Sequence, residues 1–327
     1  MRPVDAWILT SGEAGHRTQA RGLALAVAGQ AREITVDLRS PWRYLPGDLA
    51  PFALKGLTRS SDRPAPPWPD LLVSSGRRAA AVAIAIRRAS GGKTVAVHVP
   101  DPYTNPAAFD LVVCLNHDSV SGPNVLSLST AVHDLTPAKL DDAAELWRER
   151  LRTPGRPLIG VALGGTTHRK SPSLTQMGEL FAGLDALRRT TGARLAITPS
   201  RRTPDEVRAL LSTSFDHDPE VFVWDMQGDN PYRGILALSD RLVITSDSVS
   251  MVSEALATRA SVEVFGQPDS PRHVQFLDRL IAGGQVRRFT GDPAAAPSLG
   301  PINATDVAAK AVRALLAERL GLTLEPA

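Results

Sequence analysis

Directly after the apolar run DRLVI stand Thr245, Ser246, Asp247, Ser248 and Ser250, with Glu254 behind them in the stretch TSDSVSMVSEA, residues 245–255. A core has no use for so many hydroxyls, because each buried polar group costs free energy unless it finds a partner. Two readings account for them. In the first, Asp247 or Ser248 caps a helix and Glu254 faces water. In the second, a strand ends near Thr245 and a helix starts near Ser248. Its unpaired N–H groups and positive dipole end then make a seat for an anion. Glu254, about two turns on, could accept hydrogen bonds from a diol such as a ribose. Phosphate at the helix start and ribose at the glutamate would explain why both chemistries occur together.

Further polar sets follow other apolar runs. LGGTTHRKS, residues 163–171, is a strand running into Gly164 and Gly165, followed by Thr166, Thr167, His168, Arg169 and Lys170. Glycine lets a backbone approach a phosphate closely, but the stretch matches neither the P-loop nor the dinucleotide fingerprint, and an ordinary turn explains it as well. In LTSGEAGHRTQARG, Gly12 and Gly15 open a turn and His16 stands at the head of a helix. A neutral imidazole there could act as a general base or simply cap. Asp101 in VHVPDPYTN lies just past a strand between two prolines. It is a second base candidate at a strand's carboxyl end, or the corner of an Asp-Pro turn. Arg201 and Arg202 suit bidentate phosphate contacts or a solvated pair. Met226, Gln227 and Tyr232 sit where they could border a base, beside a helix start capped by Asn230. The segment 40–57 mixes Trp42, Tyr44 and Phe52 with Arg43 and Lys55. It reads as a membrane-facing or lipid-acceptor patch, or as an irregular coil packed on its own domain.

The elements that must position these residues alternate in type. Strands at 5–10, 32–38, 70–76, 94–99, 110–115 and 124–129 are interleaved with helical patterns such as 16–29 and RRAAAVAIAIRRAS. A helix at 136–151 leads to RTPGRP, 152–157, read as a linker. The pattern then restarts with strands at 158–165, 194–200, 221–225, before Thr245 and at 261–266. Helices are expected at 173–192, at 203–214 with Thr203 as cap, at 230–239 and at 305–320. Strand–helix alternation implies parallel sheets. The expected fold is α/β, two doubly wound Rossmann-like domains with an interdomain cleft. The expected domains are 1–152 and 153–327; the last helix is free to return to the first domain. Ligands in such sheets bind at the carboxyl ends of strands.

Composition sets outer limits. A chain of 327 residues has room for about two domains. Net charge is +3, and residues 51–100 hold eight Lys or Arg against Asp62 and Asp70. That bias welcomes phosphates or an anionic surface and is too weak, and too poor in aromatics, for nucleic acid. One cysteine, Cys114, excludes a disulfide framework and a cysteine-based metal site. The longest apolar run, AAAVAIAI, is far too short to span a bilayer. The expected location is the cytoplasm, with peripheral contact at the inner membrane through 40–57. No Asp-x-Asp metal motif, Walker lysine or Gly-x-Ser-x-Gly elbow is present. No cofactor is expected, and a bound diphosphate would be neutralised by helix ends, loop amides and Arg or Lys.

The segment TSDSVSMVSEALAT resembles the nucleotide-binding segment of GT-B glycosyltransferases such as the enzyme that adds N-acetylglucosamine to lipid I. The resemblance implies that Glu254 binds a ribose and that Ser246, Asp247 and Ser248 stand in the phosphate loop. SGEAGH resembles that family's first glycine-rich loop, so Gly12, Gly15 and His16 inherit an acceptor-side or base role. GGTTHR takes the position of the second glycine loop, and Gln275 that of a sugar-contacting glutamine. Over nearly the whole chain, DLLVSSGRRAA, NHDSVSGPNVL, TPSRRTPDE and GDNPYRGILALSD are similar to bacterial relatives of the plant mitochondrial fission protein family. The first loop has fewer glycines than the lipid I enzyme, and the loop before Glu254 lacks its glycine. The implied activity is metal-independent transfer from a nucleotide diphosphate-sugar donor, bound by 153–327, to an acceptor on the 1–152 side, lipid-linked among the options, with His16 or Asp101 as base. A non-catalytic scaffold and a nucleotide-sugar epimerase on the same fold are the alternatives.

Overall fold

The computed structural model describes residues 2–50, 52–167, 171–268, 270–294 and 298–322. By contacts the chain divides into two compact units: Met1–Asp134 with Asn303–Ala327, and Leu135–Ile302.

Unit 1 carries a six-stranded parallel sheet in the order β2-β1-β3-β4-β5-β6. Its strands are β1 (Ala6–Thr10), β2 (Arg32–Thr35), β3 (Leu71–Ser75), β4 (Val95–His98), β5 (Leu111–Leu115) and β6 (Val125–Leu128). β1 and β3 are buried at every position. Continuous apolar runs of this kind belong to parallel strands covered on both faces. Helix α1 (Ala14–Ala28) covers one face, and α2 (Arg77–Ala89), rich in alanine, covers the other. The last helix, α9 (Ala304–Leu320), lies beside α1. Its Ala304, Ala308, Val312 and Leu316 recur every four residues and are buried with Ala20, Leu23 and Val27.

Unit 2 carries a second parallel sheet, in the order β12-β11-β10-β7-β8-β9. The strands are β7 (Leu158–Leu163), β8 (Arg194–Pro199), β9 (Val221–Val223), β10 (Arg241–Thr245), β11 (Ser261–Phe265) and β12 (Arg287–Arg288). Helices α4 (Leu174–Thr191), α5 (Asp205–Ser214), α6 (Tyr232–Leu238), α7 (Val249–Leu256) and α8 (Pro271–Ala282) connect them. The helix α3 (Pro137–Leu151), read from sequence as the end of the first half, packs in unit 2. Trp147 seats on α6 at Gly234, where a Cβ would come within 2.5 Å of its ring, and meets Phe222 edge-on at 6.1 Å. The stretch 152–157 runs on within unit 2. Arg152 pairs with Asp240, and Arg156 donates to the Gly192 carbonyl at 2.8 Å.

Both sheets reverse their winding at one place. In unit 1 the reversal falls between β1 and β3, in unit 2 between β7 and β10. Loops leave such a switch point toward opposite faces and open a crevice at the strands' carboxyl ends.

Candidate functional site

The loops that leave β7 and β10 meet at the switch point of unit 2. Gly164, Gly165, Thr245, Ser246 and Asp247 line one pocket there. Its walls are apolar, from Leu163, Met177, Val207 and Phe265, and Gly266 and Gln267 close it beyond β11. Sequence reading brings the two loops forward separately; the fold joins them.

Asp247 organises the junction. One carboxylate oxygen accepts from the Thr245 hydroxyl at 2.7 Å. The other accepts from the Gly165 amide at 3.0 Å and from the Arg202 guanidinium at 3.1 Å. The Gly164 amide donates to Thr245 Oγ1 at 2.7 Å. The Gly164 carbonyl accepts from Ser200 Oγ at 3.0 Å and from the Thr203 hydroxyl. The Thr166 amide donates to the Arg202 carbonyl at 2.9 Å. Glycine is required twice. A Cβ on Gly164 would lie 2.1 Å from the Asp247 carboxylate, and one on Gly165 would lie 1.9 Å from the Arg202 carbonyl oxygen.

Ser248 takes the capping role. Its hydroxyl accepts from the Met251 amide at 3.3 Å at the start of α7. Ser246 is buried, and its amide donates to the Phe265 carbonyl at 2.9 Å. Glu254, on the second turn of α7, accepts from the Tyr232 hydroxyl at 2.5 Å. Burial first, and the Glu254 charge second, push the Tyr232 phenol well above its ordinary range, so it remains a donor.

Several expected residues stand elsewhere. Both arginines of the doublet are exposed, and Arg202 is the one that reaches Asp247. Thr203 is not the cap of α5. That helix starts at Asp205 after Pro204, and the Thr203 hydroxyl ties down Gly164 instead. Met226, at φ +69°, borders a separate depression with Leu211, Phe215 and Trp224. The Gln227 carbonyl accepts from the Trp224 indole at 2.8 Å. Asn230 is not the N-cap of α6: Pro231 holds that position, and Asn230, one residue earlier, accepts from the Tyr232 amide at 2.9 Å. Gln275 is exposed on α8, and Gln176 and Gln267 line the pocket instead. Thr167 lines the pocket too, and Thr166 is exposed with its hydroxyl 3.1 Å from Ser171 Oγ. His168, Arg169 and Lys170 lie outside the described residues. Sequence reading does not bring Thr203 or Gln267 forward as site residues. The available signal was position: each follows a strand of unit 2 by no more than a few residues.

In unit 1, His16 stands in the first turn of α1 at the β1/β3 switch point. Its Nδ1 is 3.0 Å from Glu13 Oε2, and a Cβ on Gly76 would come within 3.0 Å of the same nitrogen. Gly12, at φ +90°, makes the turn. Gly15 does not: it lies inside α1, with open space around it. Asp101 is buried, and one carboxylate oxygen accepts from the Tyr103 amide at 2.8 Å, the local turn that an Asp-Pro corner makes. Beside it, at the end of β4, His98 is fully buried. The Ser74 hydroxyl donates to the Val97 carbonyl at 3.1 Å and meets His98 Nδ1 at 2.8 Å. With the serine proton given to the carbonyl, Nδ1 must carry the imidazole proton, and Nε2 is left a bare, unpartnered acceptor. Burial, with a smaller contribution from His16, lowers the His98 pKa to about 3. Among the described residues no group of three His, Cys, Asp or Glu side chains gathers closely enough to hold a metal ion.

Two doubly wound parallel sheets with a loop crevice at each switch point define a GT-B fold. Solved structures agree on the fold. A UDP-N-acetylglucosamine 2-epimerase described as putative, from Listeria monocytogenes, superposes with a TM-score of 0.58 at 11% identity, covering 98% of each chain. The UDP-GlcNAc 2-epimerase of Methanocaldococcus jannaschii gives 0.57 at 8% identity, covering 95% of this chain and 98% of that one. Residues 14–316 match the mitochondrial fission ELM1 family, and the chain belongs to it. The mitochondrial fission protein ELM1 of Arabidopsis thaliana is 28% identical over 277 residues, 77% of this chain and 65% of the plant protein. The match thus spans just under two thirds of that relative's length. The uncharacterized protein RP120 of Rickettsia prowazekii is 25% identical over 329 residues, covering 88% of this chain and 90% of its own. No helix among the described residues is long and apolar enough to cross a membrane.

Proposed function

We propose that unit 2 binds the nucleoside diphosphate of an activated sugar without a metal ion, and that the chain transfers the sugar to a hydroxyl acceptor held by unit 1. The observation that carries this reading is the junction at the switch point: Gly164, Gly165 and Asp247 line one pocket, Arg202 is bonded to Asp247, and α7 starts directly after it. Asp247 places an anion on the Gly165 amide and on Arg202. A phosphate oxygen makes the same two bonds, because both groups are anionic acceptors. Diphosphate binding then exchanges the Asp247 carboxylate for a phosphate. Glu254, which accepts from the Tyr232 hydroxyl, is assigned to the ribose.

In the transfer step the acceptor hydroxyl gives its proton to a base, His16 or Asp101. The new bond forms between that oxygen and the anomeric carbon. The bond from the anomeric carbon to phosphate breaks, and its electron pair leaves on the diphosphate. Arg202, the helix start and the loop amides stabilise that charge.

One observation favours the scaffold reading. Glu254 is bonded within the protein, and Asp247 already satisfies the loop. The products of incubation with UDP-, GDP- and ADP-sugars under chelator separate the readings. Release of the free nucleoside diphosphate supports transfer. An intact nucleotide sugar with one inverted centre identifies an epimerase. Unchanged substrate across the panel, with no binding, leaves the scaffold.

A further inference from the structure

The coil between β2 and β3 has two sides. On the inner side Gly47 lies against α2, where a Cβ would be 3.2 Å from the Ala81 amide nitrogen. Ala50, Ala53 and Leu57 are buried with it in the core. The packed-coil reading of 40–57 holds for this side. On the outer side Tyr44, Leu49 and Phe52 are 68%, 65% and 73% exposed. Tyr103 is 58% exposed, and its turn is tied to the same coil, since the Asp48 amide donates to Thr104 Oγ1 at 3.1 Å.

Two of these aromatics sit on unusual backbone. Phe52 has φ +52° and Tyr103 φ +51°, in the left-handed region that bulky L-residues avoid. Strained backbone that presents aromatic rings to water gains nothing for folding and points to a covering partner. The cations supply that partner's sign. Arg43 lies over Tyr44 at 5.6 Å and Lys55 over Phe52 at 5.3 Å. Arg39 stacks on Trp42 at 5.4 Å, and Arg77 and Arg88 donate to the carbonyls of Tyr44 and Asp48. Asp48 is the acidic group among them. A second copy of this chain would bring the same cations face to face.

We infer that this side of unit 1 docks on an anionic lipid surface, the rings and Leu49 entering the headgroup region and the arginines and lysine meeting lipid phosphates. Aromatic and aliphatic tips flanked by basic residues match the layered polarity of that interface. The inference stands independently of glycosyl transfer.

Flotation with vesicles tests it. The full chain should float with vesicles of phosphatidylcholine and phosphatidylglycerol in equal amounts. It should stay down with phosphatidylcholine alone and release in high salt. The double variant Leu49→Ser, Phe52→Asn should bind more weakly by on the order of tenfold. Asparagine tolerates the left-handed backbone, so its melting temperature should not fall. Leu146→Ser, at an exposed position of α3, should float like the wild type, and so should Glu254→Ala, which separates this test from the nucleotide reading. Wild type that ignores anionic vesicles, or a double variant that floats undiminished, overturns the inference. So does a dimer in sedimentation that the double variant breaks, since the surface would then be a self-interface.

Discussion

At the carboxyl end of unit 2's sheet, Thr245, Asp247, Ser200 and Thr203 direct their hydrogen bonds onto the backbone of Gly164 and Gly165. At the same end of unit 1's sheet, Ser75, His98 and Thr130 bury polar atoms that have no partner among the described residues. The two crevices share a topology and differ in how their polar groups are satisfied. A satisfied network is rigid and costly to cut; an unpartnered buried group already carries its desolvation cost of about 1–3 kcal/mol. Unit 2 therefore has a preformed loop pair, and unit 1 has polar atoms whose removal the fold tolerates.

The sharpest way to break unit 2's side is Gly165→Ala. The new Cβ meets backbone, not a flexible tip, so the loop must move. Loss of about 3 kcal/mol is expected by urea unfolding. Next comes Thr203→Val, which removes the hydroxyl that serves Gly164 and the Ser200 amide. A loss of about 2 kcal/mol is expected. An unchanged midpoint would show that these bonds are replaced at no cost.

In unit 1 the effects should be small near neutral pH and grow with acid. The folded pKa of His98 is about 3, against an ordinary 6.5. As pH falls below 6.5 the unfolded chain takes up the proton first. Stability present above 6.5 is thus lost on acidification toward 3, by up to about 1.4 kcal/mol per pH unit. His98→Gln should flatten the acid limb of the stability curve by one proton's worth; an unchanged slope would place His98 in contact with water. The smallest change is Thr130→Val. Its hydroxyl has no partner, so stability should stay within about 0.5 kcal/mol or rise. A loss as large as that of Thr203→Val would erase the contrast between the units.

Much of this was legible in the sequence. Strand–helix alternation predicts parallel sheets, and both loops of unit 2 stand out because glycines and hydroxyls follow apolar runs. What was not legible depends on contacts across the chain. Whether Arg201 or Arg202 reaches Asp247 depends on how the loop after β8 crosses Gly165. Thr203 has the look of a helix cap, and only the crossing shows that its hydroxyl is claimed by Gly164. The helix 137–151 joins unit 2 because Trp147 meets Gly234, some 90 positions on, and no local period contains that pairing. Spacing placed Gly15 in a turn, although α1 starts one residue earlier.

The most direct test of the central claim is the melting temperature of the metal-free protein with UDP, GDP, ADP and CMP, beside Glu254→Ala and Asp247→Asn. A ligand that binds only the folded chain stabilises it by about 2.7 kcal/mol at about a hundredfold excess over its Kd. The account predicts a rise with one nucleotide, its loss in Glu254→Ala, and a larger rise in Asp247→Asn, where no carboxylate competes for Arg202 and the Gly165 amide. No rise with any nucleotide at saturating concentration, in the wild type and in Asp247→Asn alike, would contradict it.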